Sequence, residues 1–172
     1  MLINQEKIIL ETERLSLREF KPVDAEFLMK LVNTPDWIEF IGDKNFLTEA
    51  DAIDFINTIL IDSYNIHGFG SWLVELKDLK TPIGLCGLVK RESLESADIG
   101  YALLPEHTKK GYAIEITKAA LEYGHKTLNL NPIVAITDLH NHASVSLLNK
   151  LGMRFIKNIT LPGDDHVMLY ST

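Results

Sequence analysis

Between Ser71 and Leu104 the apolar residues stop recurring every third or fourth position and instead alternate or run together. Three segments do this in succession: "SWLVELKD" (71–78), "PIGLCGLVK" (82–90) and "DIGYALL" (98–104). Each reads as a strand. The connector "DLKTP" is hairpin-length and "RESLESA" is a longer acidic turn, so neighbouring strands fold back on one another and the centre of the fold is largely antiparallel.

Helical periods flank this block. "KPVDAEFLMKLVN" (21–33) places Pro22 in a first turn and Phe27, Leu28, Leu31 and Val32 on one face, which predicts a helix. "TEADAIDFINTILIDSY" (48–64) opens with Thr48 and, three residues later, Asp51, a capping-box-like start to an amphipathic helix. Before them "ETERLSLREF" (11–20) alternates like a strand, and 34–46 is irregular but carries Trp37, Phe40 and Phe46. After the block come a helix from Gly111, a strand at 132–139, a helix at 142–152, and closing strands "MRFIKNIT" and "DHVMLYS". The order β-α-α-β-β-β-α-β-α-β-β places the chain in the α+β, or mixed α/β, class.

At 172 residues, with 46% hydrophobic and 24% charged, the chain reads as a single domain over 1–172, its core at about 11–171, with enough core to need no staples. A formal net charge of −7 argues against a broad basic surface for nucleic acid. The single cysteine, Cys86, lies in "IGLCGLV" and reads as core rather than nucleophile; a reducing cytoplasm is the simplest setting. "MLINQEKIIL" has a glutamate before any long apolar stretch and does not read as a signal peptide, and no run approaches the roughly 20 apolar residues of a membrane span.

The segment "PEHTKKGYAIEI" (105–116) sets Lys109 and Lys110 at a helix entrance, where the dipole favours negative charge. An anion bound there would reconcile the lysines with the dipole, because unpaired first-turn amides point out of the helix end and Gly111 leaves room for close approach. The plainer reading, two solvated lysines beside a turn glycine, stays open at this point. There is no G-x-x-x-x-G-K-S/T, and "HGFGSW" holds only G-x-G without opening a helix, so neither common nucleotide fingerprint is present.

"DIGYALLPEHTKKGYAIEITKAALEYG", followed after 11 residues by "ITDLHNHASVSLLNKLGMRF", resembles the acetyl-CoA-binding core of the GNAT N-acetyltransferases. The similarity extends to the branch containing the ribosomal-protein N-terminal acetyltransferases, and "ETERLSLREF" and the element order match it too. Asn141, Ser144, Leu148, Lys150, Gly152 and Met153 carry its most specific portion. The resemblance implies a mostly antiparallel sheet of six to seven strands, splayed between the fourth (98–104) and the fifth (132–139), with about four flanking helices. It implies a pyrophosphate loop at Thr108, Lys109, Lys110, Gly111, Tyr112 and Ala113, although Thr108 stands where Arg or Gln is common and Lys109 where a first glycine is common. It further implies that the backbone of Ala102, Leu103 and Leu104 pairs with the pantetheine arm, the amide near Leu103 polarising the thioester carbonyl.

The implied reaction is acetyl transfer from acetyl-CoA to a primary amine, a protein N-terminus or a small molecule, in a ternary complex; a silent acyl-CoA-binding module is the alternative. The implied enzyme works without a metal, as monomer or homodimer, with no nucleic-acid or membrane partner. Asp98 is the first base candidate, a water-bridged base is equally open, and Glu75 comes next; Asp98 also reads as a solvated carboxylate ending an acidic turn. Ser144 is the candidate donor to the leaving thiolate; spacing alone favours Asn141 as N-cap and Ser144 as first-turn residue of a helix, and both readings can hold together. Trp37 and Phe40 are core or line the acceptor pocket. Asp138, His140 and His142 make a poor metal set.

Overall fold

The computed structural model describes residues 7–163 and 165–172; the reading of the first six residues falls outside it. One eight-stranded sheet runs in the order β1-β2-β3-β4-β5-β6-β8-β7. The central strands fall where their period places them: β3 (Ser71–Leu76), β4 (Thr81–Val89) and β5 (Asp98–Leu103) pair antiparallel in succession. β2 (Leu15–Arg18) joins β3, and β6 (Val134–Asp138), β7 (Arg154–Leu161) and β8 (Asp165–Ser171) complete the far side.

The eighth strand is β1 (Ile8–Glu11), a short partner of β2 that raises the expected six or seven strands by one. Its turn is closed by the Thr12 amide donating to the Leu15 carbonyl at 2.8 Å and the Leu15 amide to Thr12 Oγ1 at 3.0 Å. The helices also exceed four. They are α1 (Ala25–Val32), α2 (Pro35–Phe40), α3 (Glu49–Phe55), α4 (Asp62–His67), α5 (Tyr112–Lys126) and α6 (His142–Lys150). α3 and α4 form one rod, joined by a π-helical stretch at Ile56–Ile61, and the Thr48–Asp51 capping box opens it. The irregular reading of 34–46 is corrected over Pro35–Phe40, where Pro35 after Thr34 starts a six-residue helix, too short to show a period.

The core is shared by both faces of the sheet. Leu15, Leu17, Trp72, Leu88, Ile116 and Ile133 are fully enclosed. Trp72 meets Tyr123 of α5 edge-to-face at 5.8 Å between ring centres, a favourable aromatic geometry. Beneath β2 and β3 lies a buried ionic cluster. Arg18 donates to both Asp24 oxygens at 2.8 Å and, through Nε, to Glu75 Oε2 at 3.1 Å. Buried charges persist when paired in this way, and the carboxylates push the Arg18 pKa upward, hydrogen bonding to Asp24 foremost. Among the described residues no helix is long and apolar enough to cross a membrane.

β5 and β6 are the exception to antiparallel pairing. They run parallel and pair only at Asp98 with Val134, the Val134 amide donating to the Ala97 carbonyl at 3.0 Å. Beyond that apex the two strands diverge, so the sheet opens between 98–103 and 134–138, the place where the splay was expected.

Candidate active site

The opening forms a cleft of about 460 Å³. It is lined by Ile99–Leu103 of β5 and Ala135–Asp138 of β6, by Trp37 and Phe40 of α2, and by Thr108, Lys109, Gly111 and Ala113 around the start of α5. Asn141 and Ser144 enter from α6.

Strand alternation decides what β5 offers to the cleft. The Leu104 amide is spent on the Ile83 carbonyl at 2.8 Å, and a Cβ added at Gly84 would lie 2.2 Å from the Ala102 carbonyl oxygen. Both residues therefore turn their backbone groups toward β4. In an antiparallel ladder the intervening residues point the opposite way, so Tyr101 and Leu103 present amide and carbonyl to the cleft. That narrows the expected set of Ala102, Leu103 and Leu104: the Leu103 amide faces the opening, whereas Leu104 is a core residue, 3% exposed, and does not line the cleft.

The loop into α5 is built from left-handed turns. Lys109 has φ +59° and Gly111 φ +81°, the second serving as N-cap of α5 with no side-chain cap. A lysine in that conformation costs about 1–2 kcal/mol that a glycine would not, so Lys109 takes the backbone shape of the glycine common at that place. Lys110 and Tyr112 do not line the cleft. Both face the β1–β2 hairpin, where Arg14 Nη1 donates to the Lys110 carbonyl at 3.0 Å and the guanidinium lies 4.4 Å from the centre of the Tyr112 ring. Glu115, in the first turn of α5, accepts from Thr12 Oγ1 at 2.6 Å, the Arg14 amide at 3.0 Å and Arg14 Nε at 2.7 Å. Burial works against the Glu115 carboxylate, but these donors hold it below its ordinary range.

At α6 the cap reading and the site reading coincide. Asn141 Oδ1 accepts from the Ser144 amide at 3.0 Å, which caps the helix while both residues line the cleft. The Ser144 hydroxyl lies beside that of Tyr101, a residue whose side chain the sequence did not single out. Burial pushes the Tyr101 hydroxyl upward, and hydrogen bonding to Ser144 partly opposes this. Trp37 is 6% exposed, and its Nε1–H has no hydrogen-bond partner among the described residues.

The two carboxylates named as base candidates are placed elsewhere. Asp98 sits at the apex, its side chain 3% exposed and bound by Arg91 Nε at 2.9 Å; it does not line the cleft and is no solvated turn residue either. Glu75 belongs to the Arg18 cluster below β3. Burial raises the Asp98 pKa above the ordinary 3.8, against the pull of Arg91. A raised folded-state pKa means ionisation costs stability, so the wild type gains stability as pH falls through that raised value toward about 3.9. Asp98→Asn cannot titrate there. Its melting temperature relative to wild type should rise as pH increases from about 4 to 7, which thermal scans across that range will read.

Cys86 is enclosed and burial pushes its thiol up, which leaves it inert. Among the described residues no group of three His, Cys, Asp or Glu side chains is placed to hold a metal.

Against known proteins, residues 14–154 match the acetyltransferase (GNAT) domain model. The chain belongs to the GNAT acetyltransferase family. It is 33% identical over 147 residues to the uncharacterised N-acetyltransferase YoaA of Bacillus subtilis, covering 85% of this chain and 82% of that one. A GNAT acetyltransferase structure from Bacillus anthracis superposes with TM-score 0.79 at 27% identity, covering 95% of this chain and 96% of the other. The ribosomal L7/L12 α-N-protein acetyltransferase RimL, solved with coenzyme A, shares the fold with TM-score 0.82 at 15% identity, covering 96% and 97%. The protein is thus an acetyl-CoA-dependent acyltransferase.

Proposed function

We propose that the protein transfers acetyl directly from acetyl-CoA to an α-amine that carries a neighbouring carbonyl, as at the N-terminus of a peptide. The observation that carries this is the Trp37 indole N–H, which is buried and has no partner among the described residues, on a side chain that lines the cleft. An unsatisfied buried donor costs about 1–3 kcal/mol, and a carbonyl oxygen beside the incoming amine would satisfy it once the entering acceptor shifts the α2 wall enough to uncover the nitrogen. A polyamine has no such oxygen. The bases point the same way: Asp98 and Glu75 are held by arginines outside the cleft. An α-amine of pKa about 7.8 needs only about 1 kcal/mol to be neutral at pH 7, against about 4.6 for a lysine at 10.4, so solvent suffices as the base.

In this reading the Leu103 amide polarises the thioester carbonyl as the amine adds to its carbon. The C–S bond then breaks and the C–N bond remains. Ser144 donates a hydrogen bond to the departing sulfur. An aliphatic hydroxyl is a far weaker acid than a thiol, so it relays a proton rather than surrendering one, and the adjacent Tyr101 hydroxyl replenishes it. The proton lost by the amine goes to solvent, Tyr101 recovers its own proton from solvent, and CoA leaves as the thiol.

The test compares amino-acid amides and short peptides with simple alkylamines and polyamines, on wild type and Trp37→Phe. The expected result is a preference for the carbonyl-bearing amines, which Trp37→Phe lowers about 3–10-fold in kcat/KM while leaving alkylamines and acetyl-CoA unaffected. A polyamine preference, or indifference to Trp37→Phe, would contradict the assignment.

A further inference from the structure

We infer that Arg14, on the β1–β2 hairpin, is a positioning residue for the donor's pyrophosphate: it fixes which way the peptide between Lys110 and Gly111 faces. The inference rests on the reading of this loop as the phosphate end of the cleft.

Every part of the Arg14 guanidinium is engaged. Nε and Nη2 each lie 2.7 Å from Glu115 Oε2, Nη1 donates to the Lys110 carbonyl at 3.0 Å, and its face covers Tyr112 at 4.4 Å. A planar fork with its partners on three sides has little freedom to turn. Arg14 is part-exposed, and a lone surface ion pair would carry little. Here, however, the carboxylate is also gripped by Thr12 and by the Arg14 amide, so the hairpin and the first turn of α5 form one connected socket.

The consequence for the loop follows from peptide geometry. In a trans peptide the carbonyl of one residue and the amide N–H of the next point in opposite directions. With the Lys110 carbonyl drawn to Arg14, the Gly111 N–H must point away from Arg14, and Gly111 lines the cleft whereas Lys110 does not. Between two left-handed residues, Lys109 at φ +59° and Gly111 at φ +81°, this peptide could otherwise turn over and set a carbonyl dipole against the phosphate. Arg14 thus reaches the donor only through the loop. It keeps an amide where the anion needs a donor.

The test uses two acetyl donors, acetyl-CoA and acetyl-pantetheine, the latter lacking the pyrophosphate and nucleotide. With wild type, acetyl-CoA should be strongly favoured in kcat/KM. Arg14→Ala and Arg14→Lys should both lower kcat/KM for acetyl-CoA about 10-fold or more through KM, with kcat and the acetyl-pantetheine reaction little changed; lysine keeps the charge but not the fork. Equal losses with both donors would mark Arg14 as a general stabiliser and overturn the inference, as would wild-type acetyl-CoA affinity in Arg14→Ala or in Arg14→Lys. A wild type that does not distinguish the donors would instead overturn the reading of the cleft on which the inference stands.

Discussion

Gly111→Val should abolish useful acetyl-CoA binding while leaving the fold standing. Gly111 has φ +81°, and a Cβ there would lie 3.2 Å from Arg14 Nη2. A β-branched residue is a strong outlier in that region, so the loop must leave its left-handed turn or force Arg14 off the Lys110 carbonyl. Either movement disturbs the amide that faces the cleft. An increase of about 30-fold or more in the KM for acetyl-CoA is expected, equivalent to about 2 kcal/mol, with the acceptor KM little changed. Gly111→Ala should fall between. The fault arises from the backbone and from Arg14 as well as from direct crowding of the phosphate, so affinity should not return in high salt. Isothermal titration with CoA measures this, and unchanged affinity in Gly111→Val would place the phosphate elsewhere.

Ser144→Ala should have the opposite profile. Alanine suits a helix at least as well as serine, and the Asn141 cap accepts from the Ser144 backbone amide rather than from its hydroxyl, so folding and acetyl-CoA affinity should survive. If the hydroxyl passes a proton to the departing sulfur, kcat should fall about 10²-fold. Asn141→Ala removes the cap and should cost about 1 kcal/mol of stability as well. Pre-steady-state thiol release together with thermal melts separates the two effects. A Ser144→Ala enzyme with wild-type kcat at every pH would take serine out of the chemistry.

What could be read from the chain in advance divides by the range of the signal. The central strands, the Thr48–Asp51 capping box and the junction around Gly111 announce themselves within a few residues, and the structure places them there. β1 escaped because four residues, "IILE", show no alternation and acquire meaning only by pairing with β2. Asp98 and Glu75 were visible as carboxylates, but nothing in their spacing identifies Arg91 and Arg18 as their partners, and those partners remove them from the cleft. Arg14 lies about a hundred positions from the loop it holds, so only the topology, which carries the β1–β2 hairpin to the start of α5, brings them together. The unpartnered Trp37 nitrogen is likewise a fact of packing, and no motif records it.

In the proposed reaction the cleft between β5 and β6 hands acetyl from its donor to an α-amine. The most direct measurement mixes the protein with acetyl-CoA and a short peptide having a free N-terminus, and follows CoA thiol and peptide mass together. One thiol should be released for each N-acetylated peptide, with no release from the same peptide blocked at its N-terminus. Binding of acetyl-CoA without thiol release above the uncatalysed rate, across peptides and small amines alike, would contradict it.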